Sequence, residues 1–314
     1  MKPQTVNRDP KRGDRIFKFV FEKKIGGGGF GSVYKCSLVD NPKKKIALKI
    51  VSFKNISSVQ NEKEIFDEVQ KEKSQYFPRV YDVACCSLFI YIAMELLGSS
   101  LELLKDKKYK QKLCQETKKP FRHICLLTSI KMLNCIEALH KCKIIHRDIK
   151  PSNFLMRKDN SSSICLIDFG LAKFYMIDGS HIKEGWDSEV GTVLYQSIAA
   201  HEKRTLSRKD DLYSWFYSFI ELLFGYLPWA KDKAFNADEI HLIKFQCEEC
   251  DDDLCRGDPL LKDIHEKIKK MDFEAEPDYK GIIELITDAI RNPTDPSNET
   301  NDDDVVEDNC CNVC

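Results

Sequence analysis

Two short polar motifs carry the side chains that a phosphate-transfer site requires. One covers His146–Asn153 and the other covers Asp168–Gly170. Phosphoryl transfer asks little covalent chemistry of a protein, but it needs oxygen ligands for magnesium, cations for the phosphates and a carboxylate facing the incoming hydroxyl. In the first motif, Asp148 would accept or orient the hydroxyl proton, and Lys150 would steady the transferring phosphoryl group. The spacing therefore predicts a catalytic loop.

Magnesium ligands are predicted in both motifs. Mg²⁺ binds through oxygen atoms, and Asn153 and Asp168 are the side chains that would supply them. A solvated charged loop is the alternative for either motif alone, but it does not account for both motifs in this order. A second alternative stays open, in which the same fold binds a nucleotide without turnover, because intact motifs do not prove catalysis.

A cluster of glycines near the start of the chain predicts a phosphate-binding hairpin. Within Ile25–Val33, Gly26, Gly28 and Gly31 take the glycine positions of the pattern G-x-G-x-x-G. Without Cβ atoms, the backbone N–H groups can approach phosphate oxygens closely. The segment continues into an alternating strand, Ser32–Val39, which favours a hairpin over a nucleotide rather than a dinucleotide-binding turn. By itself the cluster is also typical of a flexible turn.

The next apolar strand carries a lysine that needs an anion. Lys49 follows Ala47 and Leu48, and an ammonium buried there is costly unless it meets a negative charge. Nucleotide phosphates would supply one charge, and Glu62, on the apolar face of the following helix, would supply another. Glu64 is the alternative partner, although its helical neighbours place it on a solvated face. With the two polar motifs, this lysine completes the prediction of an ATP-dependent protein kinase.

The elements around these residues indicate an α+β chain with two lobes. Strand patterns cover Phe17–Ile50 and Tyr81–Leu97, with one helix between them. From Leu101 onward the patterns are mainly helical, and the lysine-rich run Lys105–Lys110 is predicted to be a solvated loop. The main helices expected in this second part are Ile124–His140, Asp210–Phe224, Asp238–Glu249 and Ile282–Arg291.

These patterns predict a strand-rich N-terminal lobe followed by a mainly helical C-terminal lobe. Residues 1–16 are an N-terminal extension, and residues 17–291 form the main domain. Within that domain, residues 17–97 are the small lobe and hinge, and residues 98–291 are the large lobe. Residues 292–314, rich in Asp and Asn and ending in cysteines, are predicted to be a disordered tail.

Composition limits the partners and the compartment. Among 314 residues, 49 Lys and Arg oppose 50 Asp and Glu, for a formal charge of −1, so no nucleic-acid partner is expected. The first twenty residues are charged and lack an apolar leader, which predicts a cytoplasmic protein, with the nucleus as an alternative. The 14 cysteines are scattered, which predicts reduced thiols. One cluster, His241, Cys247, Cys250, Cys255 and His265, is weak support for zinc.

Several motifs lie outside the universal ones. They are the hinge Met94–Leu101, the catalytic loop Ile149–Phe154, the segment Tyr195–His201 where most kinases have A-P-E, the helix start Asp210–Tyr217 with Phe216 in place of a glycine, and Pro277–Tyr279. Together they resemble the casein kinase 1 group, and most closely its tau-tubulin kinase branch, over about Phe17–Ile290. This resemblance implies a bilobed protein-kinase fold and a serine/threonine kinase that uses ATP and Mg²⁺ on protein substrates. A catalytically idle pseudokinase is the alternative, although none of the motif residues is missing.

The same resemblance implies how the nucleotide is held. The backbone of Glu95 and Leu97 would bind adenine, and Met94 would be the gatekeeper. Ile25, Val33, Ala47 and Leu155 would form the apolar slot. Asp211 would have a structural role, in which it pins the backbone of the catalytic loop. The chain is expected to act as a monomer.

One departure from the casein kinase 1 pattern affects the choice of substrate. Members of that group typically have the pattern G-T-x-R-Y, whose arginine binds phosphorylated or acidic substrates. In this chain the segment Gly191–Tyr195 has Leu194 at the arginine position. Loss of this guanidinium predicts weaker recognition of primed substrates unless Lys231, Lys233 or Arg208 compensates. The alternative is that the leucine only repacks the site.

Two further features concern regulation and targeting. Arg147 lies beside the catalytic aspartate, and Ser180 and Ser188 are candidates for phosphorylation in the activation segment. The resemblance implies no such requirement, so activity is expected without an upstream kinase. The ending Cys310–Cys314 is a loose prenylation motif. Membrane contact is expected only if this tail is lipidated.

Overall fold

The small lobe is a six-stranded antiparallel sheet with one helix. The computed structural model describes residues 10–28, 31–52, 56–72, 74–85, 89–158, 162–230 and 236–293. The sheet order is β1-β2-β3-β4-β6-β5, and α1 connects β4 to β5. These elements are β1 (Arg15–Ile16), β2 (Phe19–Gly28), β3 (Gly31–Leu38), β4 (Lys45–Val51), α1 (Ile56–Lys71), β5 (Val80–Cys85) and β6 (Ile90–Glu95).

The alternation of β4 separates its packing residues from its functional residues. Ile46 and Leu48 are buried in a cluster with aromatic side chains of β2 and β3. Because successive side chains of a strand point to opposite faces, Ala47 and Lys49 share the other face. Strand register sets Lys49 opposite Ile92 of β6. The alternation of the strand thus places Lys49 on the face opposite the cluster that contains Ile46 and Leu48.

The large lobe is mainly helical, with short paired strands. Strands β7 with β10, β8 with β9, and β11 with β12 pair in antiparallel fashion. The strands are β7 (Ile144–Ile145), β8 (Phe154–Met156), β9 (Ile164–Leu166), β10 (Lys173–Phe174), β11 (Met176–Ile177) and β12 (Ser180–His181). The helices are α2 (Lys107–Thr117), α3 (Phe121–Lys141), α4 (Ile198–His201), α5 (Arg208–Phe224), α6 (Ala237–Glu249), α7 (Asp251–Cys255), α8 (Pro259–Lys269) and α9 (Tyr279–Arg291).

Helix α5 is the centre of the large lobe. Ser207 and Asp210 form a capping box at its start, and Gly225, with a φ of +81°, ends it in the left-handed region. Every residue from Asp210 to Leu222 is buried, the acidic side chains of Asp210, Asp211 and Glu221 included, so other elements cover this helix on all sides. No helix of the described ranges is long and apolar enough to span a membrane.

The predicted fold class is confirmed, and the predicted main helices are present. The structure extends all four toward the N-terminus, to Phe121, Arg208, Ala237 and Tyr279. The lysine-rich run was predicted wrongly, because α2 begins at Lys107. A helix forms there because Asp106 caps it, accepting a hydrogen bond from the N–H of Tyr109 at 2.8 Å.

Candidate active site

Lys49 lies between two carboxylates from different parts of the chain. Its Nζ donates to both carboxylate oxygens of Glu62, at 2.7 and 2.8 Å, and to Oδ1 of Asp168 at 3.0 Å. Glu64, the alternative partner, is exposed on the other face of α1. Of the two candidate partners, Glu62 is thus the one that the lysine contacts.

The three charged groups of this triad shift one another's pKa values. Burial alone would lower the pKa of Lys49, but the carboxylates of Glu62 and Asp168 outweigh burial and raise it. Burial raises the pKa of Glu62, and the ammonium opposes that shift through its two hydrogen bonds. Burial would also raise the pKa of Asp168, but the lysine lowers it below its ordinary value. An ammonium flanked by two carboxylates is the geometry expected of ionised partners.

A column of aromatic rings joins α1 to the two motifs. The ring of Phe169 packs edge-on against Phe66 of α1 at 5.2 Å, against Phe77 at 5.9 Å and against His146 at 5.6 Å between centroids. Edge-to-face aromatic packing of this kind is favourable and directional. The column therefore fixes α1, and with it Glu62, relative to the catalytic loop.

Asp148 has both carboxylate oxygens engaged. Its Oδ1 accepts from the N–H and the hydroxyl of Thr192, at 2.9 and 2.7 Å. Its Oδ2 accepts from Nζ of Lys150 at 2.7 Å and from Nδ2 of Asn153 at 3.2 Å. The carboxylate is thus oriented from two sides, as a group that must face an incoming hydroxyl requires.

Thr192 is a site residue that the sequence analysis missed. Besides donating to Asp148, its hydroxyl accepts from Nζ of Lys150 at 2.6 Å. The preceding Gly191 has a φ of +96°, and a Cβ there would meet the carbonyl oxygen of Arg147 at 2.6 Å. The Gly-Thr pair was the available signal, since only glycine lets the two segments approach this closely.

A buried network below the catalytic loop holds its backbone. Asp211 accepts from the N–H groups of His146 and Arg147, at 2.7 and 2.8 Å, and from Nε2 of His140 at 2.8 Å. Tyr279 of α9 donates to the other nitrogen of His140. Arg147 has a φ of +65°, a left-handed conformation that its surroundings must stabilise. Sequence reasoning placed Asp211 here but missed the histidine.

The residues present fit a magnesium–nucleotide complex. The Nδ2 of Asn153 donates to the carbonyl and to the carboxylate of Asp148, which leaves its amide oxygen as the atom that would bind a metal. The side chain of Asp168 is 40% exposed and offers carboxylate oxygen. Oxygen donors suit Mg²⁺, which when bound would neutralise charge on the phosphates. Asn153 and Asp168 are therefore the residues that would hold it.

The predicted nucleotide-binding residues of the small lobe lie along the sheet. Strand pairing sets Ala47 opposite Met94, and Gly26 opposite Val33. Gly31 has a φ of +143°, and a Cβ there would meet a backbone oxygen at 2.3 Å. The hairpin between β2 and β3 therefore requires glycine at its described end, where Gly28 pairs with Gly31.

The other residues predicted to bind adenine lie where the small lobe connects to the large lobe. Glu95 donates its N–H to the carbonyl of Arg79 at 2.8 Å, so its own carbonyl is the group that would serve adenine. Leu97 is buried, Leu155 is half-buried and Ile25 is exposed. Apolar groups above and below a polar strand edge are typical of a site for a flat heterocycle.

Asp187 occupies the basic site beside the catalytic loop. Its Oδ2 lies 2.8 Å from Nζ of Lys173 and 3.5 Å from a guanidinium nitrogen of Arg147. Its Oδ1 accepts from the N–H of Ser188 at 2.8 Å. The hydrogen bond from Lys173 holds the pKa of Asp187 below its ordinary value. A carboxylate of the chain therefore meets the cations that a phosphorylated activation segment would otherwise engage.

Replacing Asp187 with alanine is expected to lower kcat about three- to tenfold, because two cations lose a charge-assisted partner. Phosphatase treatment of the unmodified protein should leave kcat unchanged. The matched control is Glu184→Ala, which removes an exposed carboxylate from the same segment. A loss of turnover on phosphatase treatment would contradict this role of the aspartate.

The cysteine and histidine cluster does not form a metal site. His241 stacks on His201, and His265 stacks on Phe216, at 5.1 and 5.5 Å between ring centroids. Across the described ranges, no three His, Cys, Asp or Glu side chains are arranged to hold a metal ion. Within the same ranges, the cysteines form no disulfide bonds.

Comparison with known proteins extends the likeness over the whole domain. The family model for the protein kinase domain matches residues 19–279 of this chain. A probable serine/threonine-protein kinase of Dictyostelium discoideum is 30% identical over 278 residues, which are 85% of this chain and 52% of that protein. Other relatives carry the casein kinase name.

A probable casein kinase I homologue of Encephalitozoon cuniculi is 32% identical over 282 residues, which are 86% of this chain and 84% of that protein. Casein kinase I homologue 2 of Schizosaccharomyces pombe is 29% identical over 297 residues, which are 89% of this chain and 63% of that protein. The chain thus spans from about half to most of the length of these relatives. Its folded domain, its two polar motifs and these relatives agree, and the chain belongs to the protein kinase family, in the casein kinase I group of serine/threonine kinases.

Proposed function

We propose that the chain is an active kinase that transfers the γ-phosphoryl group of Mg-ATP to serine and threonine hydroxyls of proteins. The observation that carries the proposal is one continuous network around the four motif residues. Lys49 donates to Asp168 at 3.0 Å, and Asn153 donates to Asp148 at 3.2 Å. The N–H of Ile167, next to Asp168, donates to the carbonyl of Asn153 at 2.9 Å. This bond connects the Lys49–Asp168 pair to the Asn153–Asp148 pair.

The chain's own residues perform distinct tasks in this transfer. Asp148, oriented by Thr192 and Asn153, accepts the proton of the substrate hydroxyl. Lys150, which bridges Asp148 and Thr192, places a positive charge where the transferring group gains negative charge. Lys49, held by Glu62, binds the phosphates. The expected catalysis comes from positioning and electrostatics, as is usual for phosphoryl transfer.

The decisive experiment is incubation with Mg-ATP and dephosphorylated casein. The unmodified protein should label serine and threonine, and the Asp168→Asn variant should not, because it lacks a charged magnesium ligand. An idle nucleotide-binding scaffold is the second candidate, favoured by a result in which the unmodified protein binds Mg-ATP but labels no protein. Equal labelling by both proteins would also contradict the proposal.

We further infer a tau-tubulin kinase-like subtype, acting as a cytoplasmic monomer. Phe216, the residue that carries the resemblance, is fully buried in α5 and stacks on His265. A large side chain at this position therefore has a packing function that glycine could not perform. The cysteines of the tail lie outside the described residues, so its lipidation stays a prediction.

The position of Leu194 supports weak dependence on primed substrates. Its side chain is half-buried and packs against the large-lobe core. Arg208, one of the cations that could compensate, instead donates to the carbonyl of Glu274 at 2.6 Å and to the hydroxyl of Tyr175 at 3.3 Å. The other two candidates, at positions 231 and 233, lie outside the described residues.

Leu194→Arg is therefore expected to raise the preference for phosphate-primed over unprimed peptides by about tenfold or more, since a guanidinium–phosphate contact contributes about 1.5–3 kcal/mol. The measurement is the ratio of kcat/KM for a matched peptide pair. Leu194→Met, which adds no charge, is the control. An unchanged ratio in the arginine variant would show that the leucine only fills space.

A further inference from the structure

Lys244 of α6 is fully buried and lies outside the nucleotide site. Its exposed fraction is 0%, yet lysine is among the residues that are almost never buried without partners. Its Nζ lies 2.6 Å from the carbonyl oxygen of Gln196 and 3.1 Å from that of Val193. It also lies 3.1 Å from Nε2 of His201. Because burying an ammonium group costs solvation free energy, these contacts must compensate for it.

The partners of Lys244 match an ammonium group. Burial lowers the pKa of Lys244 well below its ordinary value and so opposes the charge. The contacts favour it, because the three nearest acceptors of Nζ equal the three N–H donors of an ammonium in number. A neutral amine would leave one carbonyl facing a lone pair. Burial lowers the pKa of His201 to about 3, so this ring is neutral and one of its nitrogens can accept a hydrogen bond. The rings of Tyr217 and Trp229 lie 5.1 and 4.9 Å from Nζ, which also favours a cation.

These contacts belong to the segment that follows Thr192. Side-chain donors bind four successive backbone carbonyls there. Lys244 binds the first and the fourth, at Val193 and Gln196. Nε1 of Trp229 donates to the second, at Leu194, at 2.9 Å, and the Ser214 hydroxyl donates to the third at 2.7 Å. Residues 193–196 therefore have few free backbone groups, and their peptide planes cannot rotate without breaking a hydrogen bond.

We propose that Lys244 is a positioning residue for the protein substrate, which holds the backbone of residues 193–196 so that Thr192 stays against Asp148 and the adjoining surface is ready to receive the acceptor chain. This inference rests on the proposed function. It assigns to α6 the task of fixing this segment in a chain where Tyr195–His201 replaces the A-P-E segment of most kinases. The described nucleotide-site residues make no contact with Nζ of Lys244.

Loss of the Lys244 donors is expected to change KM for the protein substrate but not KM for Mg-ATP. Lys244→Met keeps an unbranched apolar side chain but removes the donors. It should raise KM for dephosphorylated casein at least about tenfold, since hydrogen bonds from a charged group are among the stronger ones. KM for Mg-ATP should stay within about twofold. A residue that merely stabilises the fold would alter neither constant in the fraction that remains folded.

Lys209→Met is the matched control. Lys209 is also a partly buried lysine, and its Nζ donates to the backbone carbonyls of Lys269 and Met271, at 3.0 and 2.6 Å. It therefore resembles Lys244 in chemistry but holds a different segment. This variant should lose stability and keep both KM values. If Lys244→Met and Lys209→Met change KM for casein equally, the proposal is overturned.

Hydrogen exchange provides a second measurement of the link between α6 and residues 193–196. If Lys244→Met does not fold, hydrogen exchange on the unmodified protein replaces it: saturating casein should slow exchange at residues 193–197 and in α6 together. Slowing at residues 193–197 with no change in α6 would overturn the inference. Failure of the unmodified protein to phosphorylate casein would instead overturn the proposed function, so the two failures are distinguishable.

Discussion

Asp148→Asn is expected to lower kcat for protein phosphorylation by about 10²–10⁴-fold, the range for loss of a positioned general base. The amide oxygen could still accept from Thr192. The new NH₂ group would then face Nζ of Lys150 and Nδ2 of Asn153, which now donate to the carboxylate at 2.7 and 3.2 Å. Each of these two donors would lose one of its acceptors, and the hydroxyl proton would lose its base.

The measurement is phosphate transfer to dephosphorylated casein at saturating Mg-ATP, with KM for Mg-ATP and the melting temperature recorded in parallel. Asp178→Asn is the matched control, because Asp178 is exposed, with a φ of +50°, a region that asparagine also tolerates. We expect that control to retain full activity. Near-normal turnover in Asp148→Asn would remove this carboxylate from the mechanism.

Glu62→Gln is expected to destabilise the protein by about 3 kcal/mol and to lower kcat/KM at least about tenfold. Breaking a buried ion pair by removal of one charge costs about 3–5 kcal/mol, and the lower end applies because Lys49 keeps Asp168 at 3.0 Å. Both partners are nearly inaccessible, with side-chain exposures of 7% and 2%, so solvent screens the pair only weakly.

Glu64→Gln is the control for this second prediction, since it makes the same change at an exposed position of the same helix. Its effect on the free energy of unfolding should stay within about 0.5 kcal/mol. Urea unfolding and steady-state kinetics on both variants provide the comparison. Equal losses in the two variants would show that Glu62 has no special part in holding Lys49.

Much of the fold follows from local patterns. Strand alternation and helical periodicity predicted β4, α1 and the long buried helix α5, because each has an apolar face that must be covered. The pattern failed at α2, where four of the eleven residues are lysines and two are glutamines. A helix with no buried residues leaves no apolar period to detect.

Sequence motifs also predicted the main site residues, but not the residues that orient them. Asp148 and Lys150 stand out because their types and spacing are rare together. Thr192 and Lys244 do not, since a lone threonine or lysine has no pattern of its own. His140 likewise lacked a signal, although the nitrogen it offers Asp211 lies 2.8 Å from the carboxylate.

The amino-acid sequence by itself determined the family, the reaction class and the acidic and basic groups of the site, because these depend on residue types at short, fixed spacings. Only the tertiary structure decided which distant groups meet: Lys49 with Asp168, 119 positions apart, and Lys244 with Gln196, 48 positions apart. Periodicity shows which face of an element is buried. It does not show which other face covers it, because that depends on how the whole core packs.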